Sequence, residues 1–416
     1  MRSGHLAQRG LNKRTETMND GLILVLNSGS SSIKFALFDA GVRPLPRQPA
    51  WGGQVQGIGG SAPTFEQSGA PSERITLDAK HPNTAALALI RKRVLQRLAG
   101  RSFTAVAHRV VHGGNSYFAP TRVSQAVIED LRGLIPLAPL HQPFPLKAMS
   151  LLLEQHPGVP QVACFDTAFH RTMPQVEQLL PLRFEAWERG LRRYGFHGLS
   201  YEYLSHVLPE RHADAARGRT IACHLGNGAS LCAMQDLQSV ATTMGFSALD
   251  GLMMGTRCGA LDPGAVIYLM EIEKLSLAEV AQALYHDSGL LGVSGVSSDL
   301  RVLEPLEDEN ERVRAALALY VRRIVREIGA LAAVLGGLDM LAFTAGVGEH
   351  SAFVRARVCR DLAFLGIELD DAANLDNAAV ISSRHSRVRV VVEPTNEEWV
   401  VARHALDLVG SAVLAA

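Results

Sequence analysis

The chain has 416 residues, 47% of them hydrophobic and 20% charged, and its 41 basic side chains balance 41 acidic ones. That length exceeds what one hydrophobic core serves, so two domains are expected, and a net charge of zero argues against a nucleic acid or other polyanion as the main ligand. No window reaches the uncharged apolar length that spans a bilayer, and five scattered cysteines, never in a C-x-x-C pair, suit reduced, buried thiols and a cytoplasmic location.

Residues 1–20 are polar, with several basic side chains and no apolar core, so they read as neither a signal peptide nor a membrane anchor. They are expected to be a disordered extension, with Met18 a candidate for the true start. The stretch from Leu26 to Phe35, LNSGSSSIKF, lies between two apolar runs and reads as the turn of a β-hairpin. Its small residues let backbone N–H groups and hydroxyls converge, and Lys34 adds a positive charge, which together make a phosphate cradle or simply a polar turn. It is not a Walker A loop, because no glycine directly precedes the lysine and a strand follows.

Residues 41–73, rich in Gly, Pro, Ser and Gln, are expected to form the least structured segment, a surface excursion. Thr84 to Leu98 has helical spacing, and Phe103 to Val111 reads as a strand ending in His112-Gly113-Gly114. Arg109 lies within that otherwise apolar strand and needs an anionic partner, either a ligand or a structural carboxylate. Ala126 to Leu134 reads as a helix, and Leu137 to Pro145 as a proline-broken loop holding His141. The buried strand Pro160 to Phe165 delivers Asp166, either a working residue or a helix N-cap.

Pro181 to Gly198 reads as loop and short helix ending in Phe196-His197-Gly198. Thr220 to Met234, TIACHLGNGASLCAM, repeats the strand–polar turn–strand pattern roughly 200 residues after the first, which suggests a duplicated domain presenting two small-residue loops to one ligand. Met244 to Pro263 is a long Gly-rich loop whose one arginine, Arg257, has no obvious structural partner. Glu311 to Gly329 reads as an amphipathic helix and Leu338 to Thr344 as a strand, followed by a Gly loop from Ala345 to His350. That loop, GVGEHS, is a near miss to the dinucleotide fingerprint, with Ser351 where Gly or Ala is expected, so hydride transfer is a runner-up on local pattern. Arg387 to Glu393 reads as a late strand, and Glu397 and Glu398 precede the last helix as candidates to hold a hydrated cation or as a solvated helix start.

Taken together, LNSGSSSIKF, HRVVHGG, FDTAFHRTMP, YGFHGLS, HLGNGAS, MGTRCGALDP, FTAGVGEH and PTNEE stand in the order found in the acetate kinase family of the sugar kinase/Hsp70/actin superfamily. The chain closely resembles that family from about Gly21 to the C-terminal helix. The resemblance implies an α/β fold of two duplicated actin-like, ribonuclease H-like domains with the active site in the cleft between them. The first would comprise residues 21–167 with 398–416, and the second residues 168–397, carrying nucleotide binding and dimerisation.

It further implies direct in-line transfer of the γ-phosphoryl group of ATP to acetate, with Mg²⁺ and with Mn²⁺ as its substitute, in a cytoplasmic homodimer without nucleic-acid or membrane partners. Carried over by motif, Asn27 and Glu397 would position the metal, while Arg109 and Arg257 would bracket the carboxylate and the transferring group. Asp166 would orient one arginine, and His197 and Asn227 would contact the phosphoryl group with His141 nearby. Lys34, Gly228, Asp299, Arg301, Gly346, Val347 and His350 would surround the nucleotide, and Val111, Leu140, Phe196 and Ala248 would line the acyl pocket.

Three departures stand out: Leu199 where the family has Thr, His350 where it has Asn, and Ala248 where it commonly has Pro. The first loses a hydroxyl near His197 and the second alters the adenine side. The smaller side chain at 248 keeps propionate or butyrate open as substrate, since one methylene discriminates by only about 1–3 kcal/mol. An actin-like nucleotide switch without carboxylate kinase activity is the alternative from a different class.

Overall fold

The structure, a computed structural model, describes residues 21–414 apart from 99 and 140. The expected N-terminal extension and Leu140 therefore lie outside the described residues. Among the described residues thirteen strands form two sheets. The first contains β1 (Leu22–Ser28), β2 (Ser32–Asp39), β3 (Trp51–Gln56), β4 (Thr64–Gln67), β5 (Ala70–Arg74), β6 (Phe103–Val110), β7 (Thr121–Arg122) and β8 (Gln161–Phe165), in the order β5-β4-β3-β2-β1-β6-β8-β7. The second contains β9 (Arg219–Leu225), β10 (Ala229–Gln235), β11 (Gln238–Thr242), β12 (Met340–Thr344) and β13 (Arg389–Val392), in the order β11-β10-β9-β12-β13.

The two sheets repeat one plan. In each, three antiparallel strands (β3-β2-β1 and β11-β10-β9) continue into two parallel ones (β6-β8 and β12-β13). The parallel strands β8 and β12 are buried along their whole length, as strands covered on both faces must be. Side chains alternate along β1: Ile23 and Val25 face one core, Leu22, Leu24 and Leu26 another. The first of these cores joins the sheets. It takes Ala222 of β9, Met340 of β12 and Val391 of β13, and is filled by Tyr201, Leu204 and Leu208 of the Gly198–His212 helix and by Trp399, Val401 and Ala405 of the Glu397–Leu414 helix. The latter helix packs on β1, β6 and β8.

Residues 51–74 correct the expectation of a surface excursion. They form β3, β4 and β5 and widen the first sheet, with Trp51 and Phe65 packed 5.0 and 5.9 Å from Phe35, ring centre to ring centre. The glycines that suggested a loop instead let strands approach: a Cβ on Gly53 would stand 2.0 Å from the Glu66 carbonyl oxygen. Two other segments differ. Pro143 and Pro145 open the Pro143–Gln155 helix instead of breaking a loop, because a helix's first turn needs no N–H from them. Ala345–His350 is itself a short helix, and Ser351 caps the next one, Ala352–Asp361. The Glu311–Leu335 helix runs past Gly329 and ends at Gly336, whose φ of 70° closes it in the left-handed region.

Candidate active site

Strand ends deliver the charged side chains. β6 and β8 lie parallel, with Arg109 opposite Cys164, so Arg109 shares a face with Asp166 two residues further along. The Asp166 carboxylate accepts from Arg109 Nε at 3.0 Å and from Nη2 at 2.8 Å, and the remaining Nη1 lies 2.8 Å from Glu397. Burial alone would make the Arg109 guanidinium easier to deprotonate, but Asp166 and Glu397 outweigh it and hold the charge in place. Glu397 is pushed up to about 7, by burial first and by Asp166 and Glu398 beside it, against the pull of Arg109 and Lys34.

Three carboxylates thus share one arginine and Lys34, an excess of negative charge that a divalent cation would relieve. Among the described residues no cluster of three or more His, Cys, Asp or Glu forms a dedicated cage. Asn27 faces Lys34 across the β1–β2 hairpin, and Lys34 lines a cleft with Thr395, Asn396 and Glu398. Gly29 tightens the turn with an N–H bond to the Ser32 carbonyl at 2.9 Å.

Around the second turn no carboxylate enters: a neutral imidazole and an arginine bonded to a carbonyl converge there among the described residues. His197 sits in the left-handed region (φ 57°) just before the Gly198–His212 helix, with Nδ1 2.8 Å from Ser230 Oγ. Burial, then His224, Arg109 and Arg257, hold its imidazole neutral, well below the usual histidine range. A Cβ built on Gly228 would stand 3.1 Å from His197 Nε2 and 3.7 Å from Arg257 Nη1, so this glycine lets the two donors converge over the second turn. Arg257 bonds the Ala248 carbonyl at 2.9 Å and has no carboxylate partner among the described residues; burial eases its deprotonation relative to a free guanidinium. His141 is lowered to about 4 by burial and then by the charges of Arg257 and Arg109.

Asn227 Oδ1 turns toward the Arg257 loop, 3.3 Å from where a Cβ on Gly255 would stand. Phe196 belongs to the second sheet's core cluster, and Val111 and Ala248 are half-buried side chains packed against that same cluster. Gly346 faces open space and Val347 packs on the second sheet's core. Asp299 and Arg301 bind each other at 2.6 Å, with Arg301 89% exposed, and His350 is 77% exposed.

Sequence reasoning passed over Tyr201, Ser200 and the bridging role of Ser230. Tyr201 Oη is 2.6 Å from Ser230 Oγ, and Ser200 Oγ lies 2.9 Å from both His224 Nδ1 and Thr395 Oγ1. The helical spacing of residues 197 and 201 and the serine in the second turn were the available signals.

A family model described as the acetokinase family matches residues 22–403. The chain belongs to the acetokinase family. It is therefore a phosphotransferase whose acceptor is a carboxylate. It is 46% identical over 393 residues to an acetate kinase of Rhodopseudomonas palustris, covering 93% of the chain and 98% of that relative. Among solved structures, acetate kinase of Porphyromonas gingivalis superposes with a TM-score of 0.82 at 36% identity, over 93% of the chain and 99% of its own. A propionate kinase of Francisella tularensis gives 0.84 at 31%, over 92% and 98%. Both sheets of this acetokinase follow the actin-like plan described above.

Proposed function

We propose that the chain catalyses the reversible, Mg²⁺-dependent transfer of the ATP γ-phosphoryl group to acetate, giving acetyl phosphate and ADP. One observation carries the reading: Arg257, without a carboxylate partner among the described residues, and neutral His197 converge over Gly228, with Arg257 bonded to the Ala248 carbonyl. Acetate is already an anion at neutral pH, so no strong general base is needed; the difficulty is bringing two anions into line. Arg257 and His197 donate to the transferring group, where fixed donors cost no reorganisation as charge develops. Arg109, held by Asp166, faces the carboxylate, and Val111, Phe196 and Ala248 take the methyl.

Asn27 and Glu397 would hold the metal, which would neutralise phosphate charge when bound; Mg²⁺ suits this donor set, with Mn²⁺ as its substitute. Asn227, Gly228, Gly346 and Val347 would border the nucleotide, with Lys34, Asp299, Arg301 and His350 at its edges. The exposed side chains of Leu261, Ile267, Tyr268, Ile272 and Leu277 support a homodimer through the second half, and reduced buried thiols support a cytoplasmic enzyme.

Trapping acyl phosphate with hydroxylamine, from Mg·ATP and acetate, propionate or butyrate in turn, tests the assignment. Signal strongest with acetate is the expected result. Signal strongest with a longer acid would retain the chemistry and assign the wider pocket at Ala248 to propionate, the acid named for the Francisella relative. No signal with any carboxylate from folded, ATP-binding protein would favour a nucleotide switch.

A further inference from the structure

Two imidazoles lie face to face beside the proposed reacting centre. The rings of His197 and His224 stack with centroids 4.1 Å apart and planes 14° from parallel. A serine meets each at Nδ1: Ser230 at 2.8 Å from His197, Ser200 at 2.9 Å from His224. The Ser230 hydroxyl has a second neighbour, Tyr201 Oη at 2.6 Å. Tyr201 and Ser230 are both fully buried; Ser230 lies within hydrogen-bond reach of the phenol, whose oxygen also accepts the His224 backbone N–H.

Donor counting sets the direction of this chain. Ser230 Oγ has one proton to give and lone pairs to accept with. If His197 carried its proton on Nδ1, Ser230 would accept it and pass its own proton to the Tyr201 oxygen. The phenolic proton would then be buried without an acceptor, the arrangement proteins avoid. In the reverse direction every proton finds a lone pair: Tyr201 O–H donates to Ser230, and Ser230 O–H donates to His197 Nδ1. The imidazole proton then resides on Nε2, the nitrogen facing Gly228 and Arg257.

We propose that Tyr201 and Ser230 are positioning residues that fix neutral His197 in its Nε2–H tautomer, so that this N–H is a donor aimed at the transferring phosphoryl group. The inference rests on the phosphoryl-transfer reading and adds to it the device that keeps the donor loaded. Tyr201 belongs to the first turn of the Gly198–His212 helix and Ser230 to β10, so the tautomer is set where the inter-sheet helix meets the second sheet.

Tyr201→Phe tests it, because the ring keeps its contacts with His170 and His224 while the oxygen is lost and Ser230 becomes free to accept from Nδ1–H. In the full chain labelled with ¹⁵N-histidine, the His197 signals, identified by their loss in His197→Asn, should show Nε2–H in the wild type. A population of Nδ1–H should appear in Y201F and in the second variant, Ser230→Ala. Turnover should fall about 10- to 100-fold in Y201F with the KM for ATP unchanged.

In a His197→Ala background the same tyrosine change should cost nothing further, whereas a merely structural tyrosine would cost the same in both. Nδ1–H in the wild type, or equal losses in the two backgrounds, would overturn the proposal. The tautomer spectrum decides this without turnover, so a wild type lacking carboxylate-dependent activity would defeat the functional reading alone.

Discussion

The two hairpin-bearing halves share a strand plan but carry opposite chemistry. Around the β1–β2 hairpin the functional groups are charged and mutually paired: Arg109 is held by Asp166 and Glu397, with Glu398 and Lys34 near. Around the β9–β10 hairpin they are neutral or unpaired: two stacked imidazoles, Asn227, bare glycines and an arginine bonded to a carbonyl. A duplicated scaffold has been divided into a side suited to a cation and a side suited to anionic oxygens. An arginine already held by carboxylates is a rigid orienting group, while one without them keeps its charge available for a ligand.

Changes that remove this asymmetry should act in a definite order. The largest loss is expected for Arg257→Ala, which strips the second half of its available cation. Turnover should fall about 10³-fold or more, as for other phosphoryl-transfer arginines, with ATP affinity retained; near-normal turnover would break the comparison. Glu397→Gln acts on the paired side, where the expected effect is a rise of about 10- to 100-fold in the Mg²⁺ concentration giving half-maximal rate, measured by metal titration. An unchanged metal requirement would move the cation elsewhere.

The smallest effect concerns pH. His108, His112, His141 and His170 are each lowered to about 4, and His224 to about 3, in every case by burial first. Unfolded histidine titrates near 6.5. Between those values the unfolded chain binds more protons than the folded one, so stability rises with pH. It should be complete above about 6.5 and lost progressively as pH falls toward 4. Denaturant midpoints measured from pH 7.5 down to 4.5 check this, and a flat profile would show that the imidazoles are solvated. Any pH dependence of turnover between 6.5 and 8 should disappear in Glu397→Gln, since His197 is already neutral there while Glu397 is pushed up to about 7.

Much of this division was legible in the sequence, for local reasons. A Ser/Gly turn between apolar runs and a GNG turn between apolar runs specify hairpins by themselves, and Arg109 and Asp166 declare themselves as charges at the ends of buried strands. What escaped depended on partners distant in sequence. β3 to β5 look like a loop because Gly52 and Gly53 are strand-breaking in isolation, and only the backbone packed against them explains their absence of side chains. Ala345–His350 hides its helix behind Gly346 and Gly348. Tyr201 is unremarkable until a strand brings Ser230 to it, and Ser200 until Thr395 arrives 195 residues later.

That dependence on late-arriving segments bears on how the molecule is made. The Glu397–Leu414 helix lies on β1, β6 and β8, and its leading residues reach back to the start of the chain, with Asn396 bonded to the Arg47 carbonyl 349 residues away. While the ribosome is still synthesising the second half, the first sheet stands with the place of Trp399, Val400 and Ala402 unfilled and Arg109 lacking one of its two carboxylates. A chain lacking this helix therefore leaves apolar surface uncovered, the condition that makes incomplete folds prone to aggregate. Arg109 gains its second carboxylate only once the helix beginning at Glu397 docks, so a chain truncated before that helix is expected to lack activity.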